Sequence, residues 1–210
     1  MGAVLIMSLR VITPPAPIVD TTDLLIDDSD GLRAVLVIAA VTEMIDGPTG
    51  WLGRALGPQT LEYSGWFGHC HIRLPCPPII KIVGVFAVDK DGVETEIDAG
   101  DYRLDDDCLI IADGTAWDRC EKHRIRYKAG YNGMSGAAEG ELQTGDVPAR
   151  AQQAIILAAQ HMINTGSENL FLSVDEVEGI GRKQYVVSDA ARATIEATCD
   201  RLLMGLRVFA

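Results

Sequence analysis

Five cysteines and four histidines are the residues of this chain best suited to metal or thiol chemistry, and their spacing limits what they can do. His69-Cys70-His71, Cys76 and the pair Cys120-x-x-His123 together offer soft ligands. A structural zinc site usually presents two tight pairs of matched spacing, which this set lacks. His69 and His71 alternate with Cys70 on a predicted strand, so the histidines and the thiol point to opposite faces. Cys120 and His123 could form a thiolate–imidazole pair, but no third group is near in sequence to orient it. The expectation is therefore no metal, no cofactor and no catalytic residue.

The other motifs fall short in similar ways. Asp89 and Asp91 begin like a calcium loop, but its sixth and twelfth positions are Glu94 and Gly100, where a Gly and a Glu are needed. Asp105-Asp106-Asp107 reads as a solvated turn. Gly179-Ile180-Gly181 lacks the third glycine of a dinucleotide fingerprint, since position 184 is Gln. Gly133-Met134-Ser135-Gly136 misses a nucleophile elbow by one residue, because position 137 is Ala. Arg124, Arg126 and Lys128 alternate along one strand with Ile125 and Tyr127 between them. That spacing gives a basic sheet face, either simply solvated or touching DNA or an acidic neighbour, with Ile125 and Tyr127 turned to the core.

The elements around these residues change period along the chain. Residues 8–20 (SLRVITPPAPIVD) are extended, because Pro14, Pro15 and Pro17 fix φ and remove donors. A helix follows from Asp30 to Asp46, capped by Asp30 and ended by Gly47. It is apolar nearly all round, which predicts that it is well buried. From residue 59 the period drops to about 2, predicting short strands in QTLEYSGW, CHIRL, IIKIVGVFAVD, VETEI, YRLDDDCLIIAD and RIRYKAG. Asp89-Lys90-Asp91-Gly92 supplies a hairpin turn. Asp146-Val147-Pro148 opens a second helix with the stripe Val147, Ala151, Ala154, Ile155, Ala158 and Met162. Residues 164–187 read as a long irregular or extended excursion, either covered by a partner chain or folded back as a hairpin on its own sheet. Ser188 caps a last helix whose stripe is Ala191, Ile195, Cys199, Leu202 and Leu206. The expected class is α+β: helices packed with a central antiparallel β-sheet or small β-sandwich, in one domain over 1–210.

Composition narrows the function. The 210 residues are 48% hydrophobic with a net charge of −12, enough apolar surface for a real core and too acidic for a protein that grips nucleic acid through its phosphates. No apolar window is long enough for a transmembrane helix, and MGAVLIMSLR lacks the charge and cleavage pattern of a signal peptide. An odd number of scattered cysteines reads as reduced thiols. The excursion is too apolar for a flexible linker. Leu170, Phe171, Leu172, Val174, Val177, Ile180 and Tyr185 would form a sticky patch on a monomer, so they are the candidate subunit contact.

The ordered set SLRVITPPAP, IDGPTGWLGRALGPQTLEY, IRLPCPPIIKIVGVFAVDKDGVETEIDAGDYRL, RIRYKAGYNG, VPARAQQAIILAAQHMIN and VEGIGRKQYVVSDAARATIEATCDRLLMGLRVF resembles the head–tail connector (adaptor, head-completion) proteins of tailed phages and phage-derived gene transfer agents. The chain departs from them in its short TTDLLIDDSD segment and in His161-Met162-Ile163-Asn164 at the end of the second long helix. The resemblance implies a structural protein, not an enzyme. It would form a ring, commonly of twelve copies, that docks on the portal protein, joins capsid to tail and lets DNA pass without sequence-specific contact. Its partners would be the portal and a tail-proximal stopper or tail terminator. Its place would be the head–tail junction of the particle, after the cytoplasm of the producing cell, and no membrane is involved. By the same resemblance, Leu202, Leu203, Leu206, Arg207, Val208 and Phe209 would form an exposed, portal-binding tip. Two other readings stay open: a small cytosolic metal- or thiol-dependent enzyme using the Cys and His residues, and a tail-side stopper of the same particle.

Overall fold

The computed structural model describes residues 7–24, 31–112, 117–118, 121–134, 138–167, 174–177, 181–184 and 189–208. They form α+β architecture in two compact units, one built from residues 1–16, 46–147 and 207–210, the other from residues 17–45 and 148–206.

The first unit holds two antiparallel sheets. Strands β1 (Ser8–Thr13), β2 (Gln59–Gly65), β4 (Ile79–Val88), β5 (Glu94–Glu96) and β8 (Lys122–Ala129) order as β1-β2-β8-β4-β5. Strands β3 (His71–Arg73), β6 (Tyr102–Asp105) and β7 (Cys108–Ile111) order as β3-β7-β6. Each expected strand is present. The run YRLDDDCLIIAD is two strands, because Asp106 adopts φ 51° and turns the chain between them. Alternation decides which side is buried. Along β8, His123, Ile125, Tyr127 and Ala129 are buried, while Lys122, Arg124, Arg126 and Lys128 are only partly covered. The buried side chains of both sheets, Leu61, Val85, Ile125 and Tyr127 with Ile72, Leu109 and Ile111, make one core. The Asp89 carboxylate accepts from the amides of Asp91 (2.9 Å) and Val93 (2.8 Å), and Gly92 takes φ 84°, so this aspartate builds the expected hairpin turn.

The second unit is helical: α1 (Gly31–Ile45), α2 (Ala149–Ser167) and α3 (Asp189–Met204), with contacts from α2 to both others. α2 buries Ala151, Ala154, Ile155, Ala159 and Ile163, so the stripe moves one residue on from the expected Ala158 and Met162 in its second half; Met162 is exposed. The excursion is not simply extended. α2 runs on to Ser167, and β9 (Val174–Val177) pairs antiparallel with β10 (Gly181–Gln184).

The expected burial of α1 holds on one side only. Ala34, Ile38, Val41 and Ile45 are buried, whereas Leu32 (79% exposed), Val35, Leu36 (65%) and Met44 (66%) face outward. Among the described residues α1 packs on α2 and on the turn at Thr21–Asp23, and that contact covers one of its two apolar faces.

Candidate functional site

Among the described residues, the groups suited to metal or thiol chemistry do not come together as a site. His69 and His71 are exposed. Cys76 is buried, and burial together with the nearby Asp46 carboxylate pushes its thiol up to about 12, so it stays protonated at neutral pH. His123 is fully buried with its ring stacked on Trp117 at 3.7 Å, and neither ring nitrogen makes a well-formed hydrogen bond among the described residues. Burial lowers its pKa and favours the neutral ring. Cys120, Ser135, Gly136, Gly179 and Ile180 lie outside the described residues. Among the described residues no three His, Cys, Asp or Glu side chains come together as a metal site.

The basic strand that sequence offered to DNA or to an acidic neighbour is paired from within, five cations sharing three carboxylates. On the outer side of the five-stranded sheet, Glu62 takes Arg10 Nε at 2.9 Å and Arg126 Nε at 2.8 Å. Arg126 reaches on to Glu94 at 2.8 Å, and Arg124 pairs with the same carboxylate. Lys81 and Lys128 share Glu141 at 3.0 and 3.1 Å. The register explains the ladder: Arg10, Glu62 and Arg126 stand opposite one another across β1, β2 and β8. Burial alone would raise the Glu62 carboxyl, but hydrogen bonds from Arg126 and Arg10 outweigh it and hold it below its usual value. A phosphate would have to displace a carboxylate at each of these cations.

The loop after α1 is built around another carboxylate. Asp46 accepts from the Leu56 amide (2.7 Å), the Gly57 amide (3.5 Å) and Gln59 Nε2 (3.1 Å), and burial raises its pKa. That clamp positions Leu52, Ala55 and Leu56, all fully buried. The chain's end is tied to the same loop. The Val208 amide donates to the Leu52 carbonyl at 2.8 Å, and the Arg207 guanidinium lies 4.6 Å over the Trp51 ring. Gly53 has φ 60°, and a Cβ there would stand 2.8 Å from the Val208 carbonyl oxygen, so only glycine admits this close approach.

These contacts alter the expected exposed tip. Leu203 and Leu206 are buried, each 5% exposed, Leu202 and Val208 are half-buried, and Arg207 is exposed to solvent. Phe209 lies outside the described residues. Helical periodicity already placed Leu206 on the inner stripe, which was the signal against an exposed role. Of the excursion residues, Val174 and Val177 stand on β9 opposite Gln184 and Gly181. Leu170, Phe171, Leu172, Ile180 and Tyr185 lie outside the described residues. The same hairpin register sets Asp175 against Lys183 and Glu176 against Arg182. A two-stranded hairpin is marginal alone in water. The surface that sequence reasoning missed is the outer side of α1, although the all-round apolar pattern was its signal.

No protein-family model matches the sequence, and no curated protein does. Three solved structures are similar in fold over nearly their whole length. They are a chain of the neck of a native gene transfer agent (GTA) particle computed with C12 symmetry (TM-score 0.56, 18% identity, 97% of this chain and 96% of that one), a chain of the virion of a native gene transfer agent particle (0.60, 19%, 96% and 96%), and a chain of the neck of an empty GTA particle computed with C6 symmetry (0.56, 17%, 97% and 96%).

Proposed function

We propose that this chain is a structural subunit of a phage-like particle, an adaptor that assembles as a ring at the neck, docks on the portal and joins capsid to tail. The observation that carries the reading is the end-to-end likeness in fold, 97% of this chain against 96% of a chain from a neck computed with C12 symmetry. Surface chemistry supports it. A chain of net charge −12 whose sheet cations already hold carboxylates suits the wall of a channel along which a polyanion slides. A closed ring needs a heterologous contact, one patch of each copy meeting a different patch of the next. In this reading the excursion, with Leu170, Phe171, Leu172, Val174, Val177, Ile180 and Tyr185, supplies one patch. Leu202, Arg207, Val208 and Phe209 face the portal, while Leu203 and Leu206 hold the last helix in place.

The test is the mass and shape of the purified chain, by light scattering and electron microscopy, alone and with the portal protein of the same particle. A ring that co-migrates with portal is the expected outcome, and a ring that ignores portal would favour a tail-side stopper. Removing residues 209–210 and changing Arg207→Glu should weaken co-migration while leaving the fold intact. A compact monomer that binds stoichiometric zinc and ignores portal would overturn the reading in favour of a metal-dependent enzyme.

A further inference from the structure

We propose that the outer face of α1 is the seat of a second copy of this chain, which packs a helix against it. The inference rests on the ring reading above and identifies the surface that makes the ring. Leu32, Leu36, Ala39 and Glu43 repeat at steps of four, three and four, flanked by Val35, Ala40 and Met44, and all seven are exposed. The inner face of the same helix, Ala34, Ile38, Val41 and Ile45, uses the same steps and is buried in a unit where α1 contacts α2. A face with that spacing accepts the ridge of another helix, and the small Ala39 and Ala40 midway along it allow a close crossing.

Charge selects the occupant. Two copies at −12 each repel, and they meet at least cost where a surface carries almost no charge. The α1 face carries one exposed charge, Glu43, whereas the outer side of α3 carries Glu196, Asp200 and Arg201. A basic partner would find a single carboxylate there, Glu43, and a nucleic acid no exposed cation. Size points the same way. One helix face of this kind offers a few hundred Å², short of the roughly 800 Å² per partner of a standard stable pair. Such a contact is weak singly and strong when every copy makes it twice around a closed ring.

The experiment is a concentration series by light scattering and sedimentation on the full chain, comparing wild type with Leu36→Glu, Leu32→Glu and the control Lys90→Glu on the exposed hairpin turn. Circular dichroism and melting temperature check that each variant folds. Wild type and Lys90→Glu should assemble alike, and each α1 variant should self-associate about tenfold or more weakly while melting as wild type does. Assembly of the folded α1 variants at wild-type strength would overturn the inference and leave the ring reading standing. A wild-type chain that stays monomeric throughout the series, both alone and with the portal protein of the same particle added, would overturn both.

Discussion

β8 buries every second residue and α1 is apolar nearly all round, yet one is finished by its own chain and the other is not. In β8 every second side chain enters the core between the two sheets, and Arg124, Arg126 and Lys128 between them meet carboxylates from β2, β5 and the segment at Glu141. Nothing in that arrangement asks for a partner. In α1 the inner stripe is packed and an equally regular apolar stripe points outward. A strand has two faces, and this sequence gives one to oil and one to charge. A helix given apolar residues all round has more greasy surface than a three-helix unit can cover. In the proposed ring the sheets would serve as scaffold, and the outer face of α1 as a place of assembly.

The contrast makes measurable claims, the largest being a pair of truncations. Leu61→Ala empties a fully buried site between the sheets and should cost about 2–5 kcal/mol of unfolding free energy. Leu36→Ala on the outer α1 face should change monomer stability by less than about 0.5 kcal/mol. Equal costs in denaturant titrations would erase the distinction between the two regions. Next comes Asp46→Ala, which leaves the Leu56 amide and Gln59 without their acceptor and should cost about 2 kcal/mol. Asp46→Asn keeps one acceptor without the buried charge, and its midpoint should fall between alanine and wild type.

Smaller effects test the outer sheet face and the buried ring by pH. Glu62→Gln should cost about 1.5 kcal/mol at neutral pH, because two guanidinium partners lose a charged acceptor. The folded Glu62 pKa is lowered, so its contribution is present above the ordinary carboxylate value of about 4.3 and is lost as pH falls through the folded value. The gap between wild type and variant should close under acid; a gap that persists would mean the ladder acts by packing alone. His123 has a lowered folded pKa, so the unfolded chain takes up its proton first, at about pH 6.5. Stability from the neutral ring is full above that value and declines below it. His123→Phe should keep the stack on Trp117 and lose less melting temperature than wild type between pH 7 and pH 5.

Much of this molecule was legible in local pattern. Period 2 located β2 to β8, and Asp89 with Gly92 announced its hairpin, because alternation and turn chemistry are set by neighbours in sequence. The proline-rich opening was legible as extended, but its pairing with β2 was not, since the two segments lie some fifty residues apart. The carboxylates that neutralise Arg124 and Arg126 come from β2 and β5, and Asp46 finds its partners ten or more residues away. No spacing rule announces contacts of that range.

By itself the sequence determined the order of helices and strands, which residues of each strand are apolar, and the absence of any complete metal, phosphate or nucleophile motif. Tertiary structure decided which of two apolar faces of α1 is covered, which cations keep a free charge, and that Leu203 and Leu206 are anchors within the chain. The physical reason is that backbone periodicity is a local property, whereas burial and ion pairing depend on which distant surface arrives opposite.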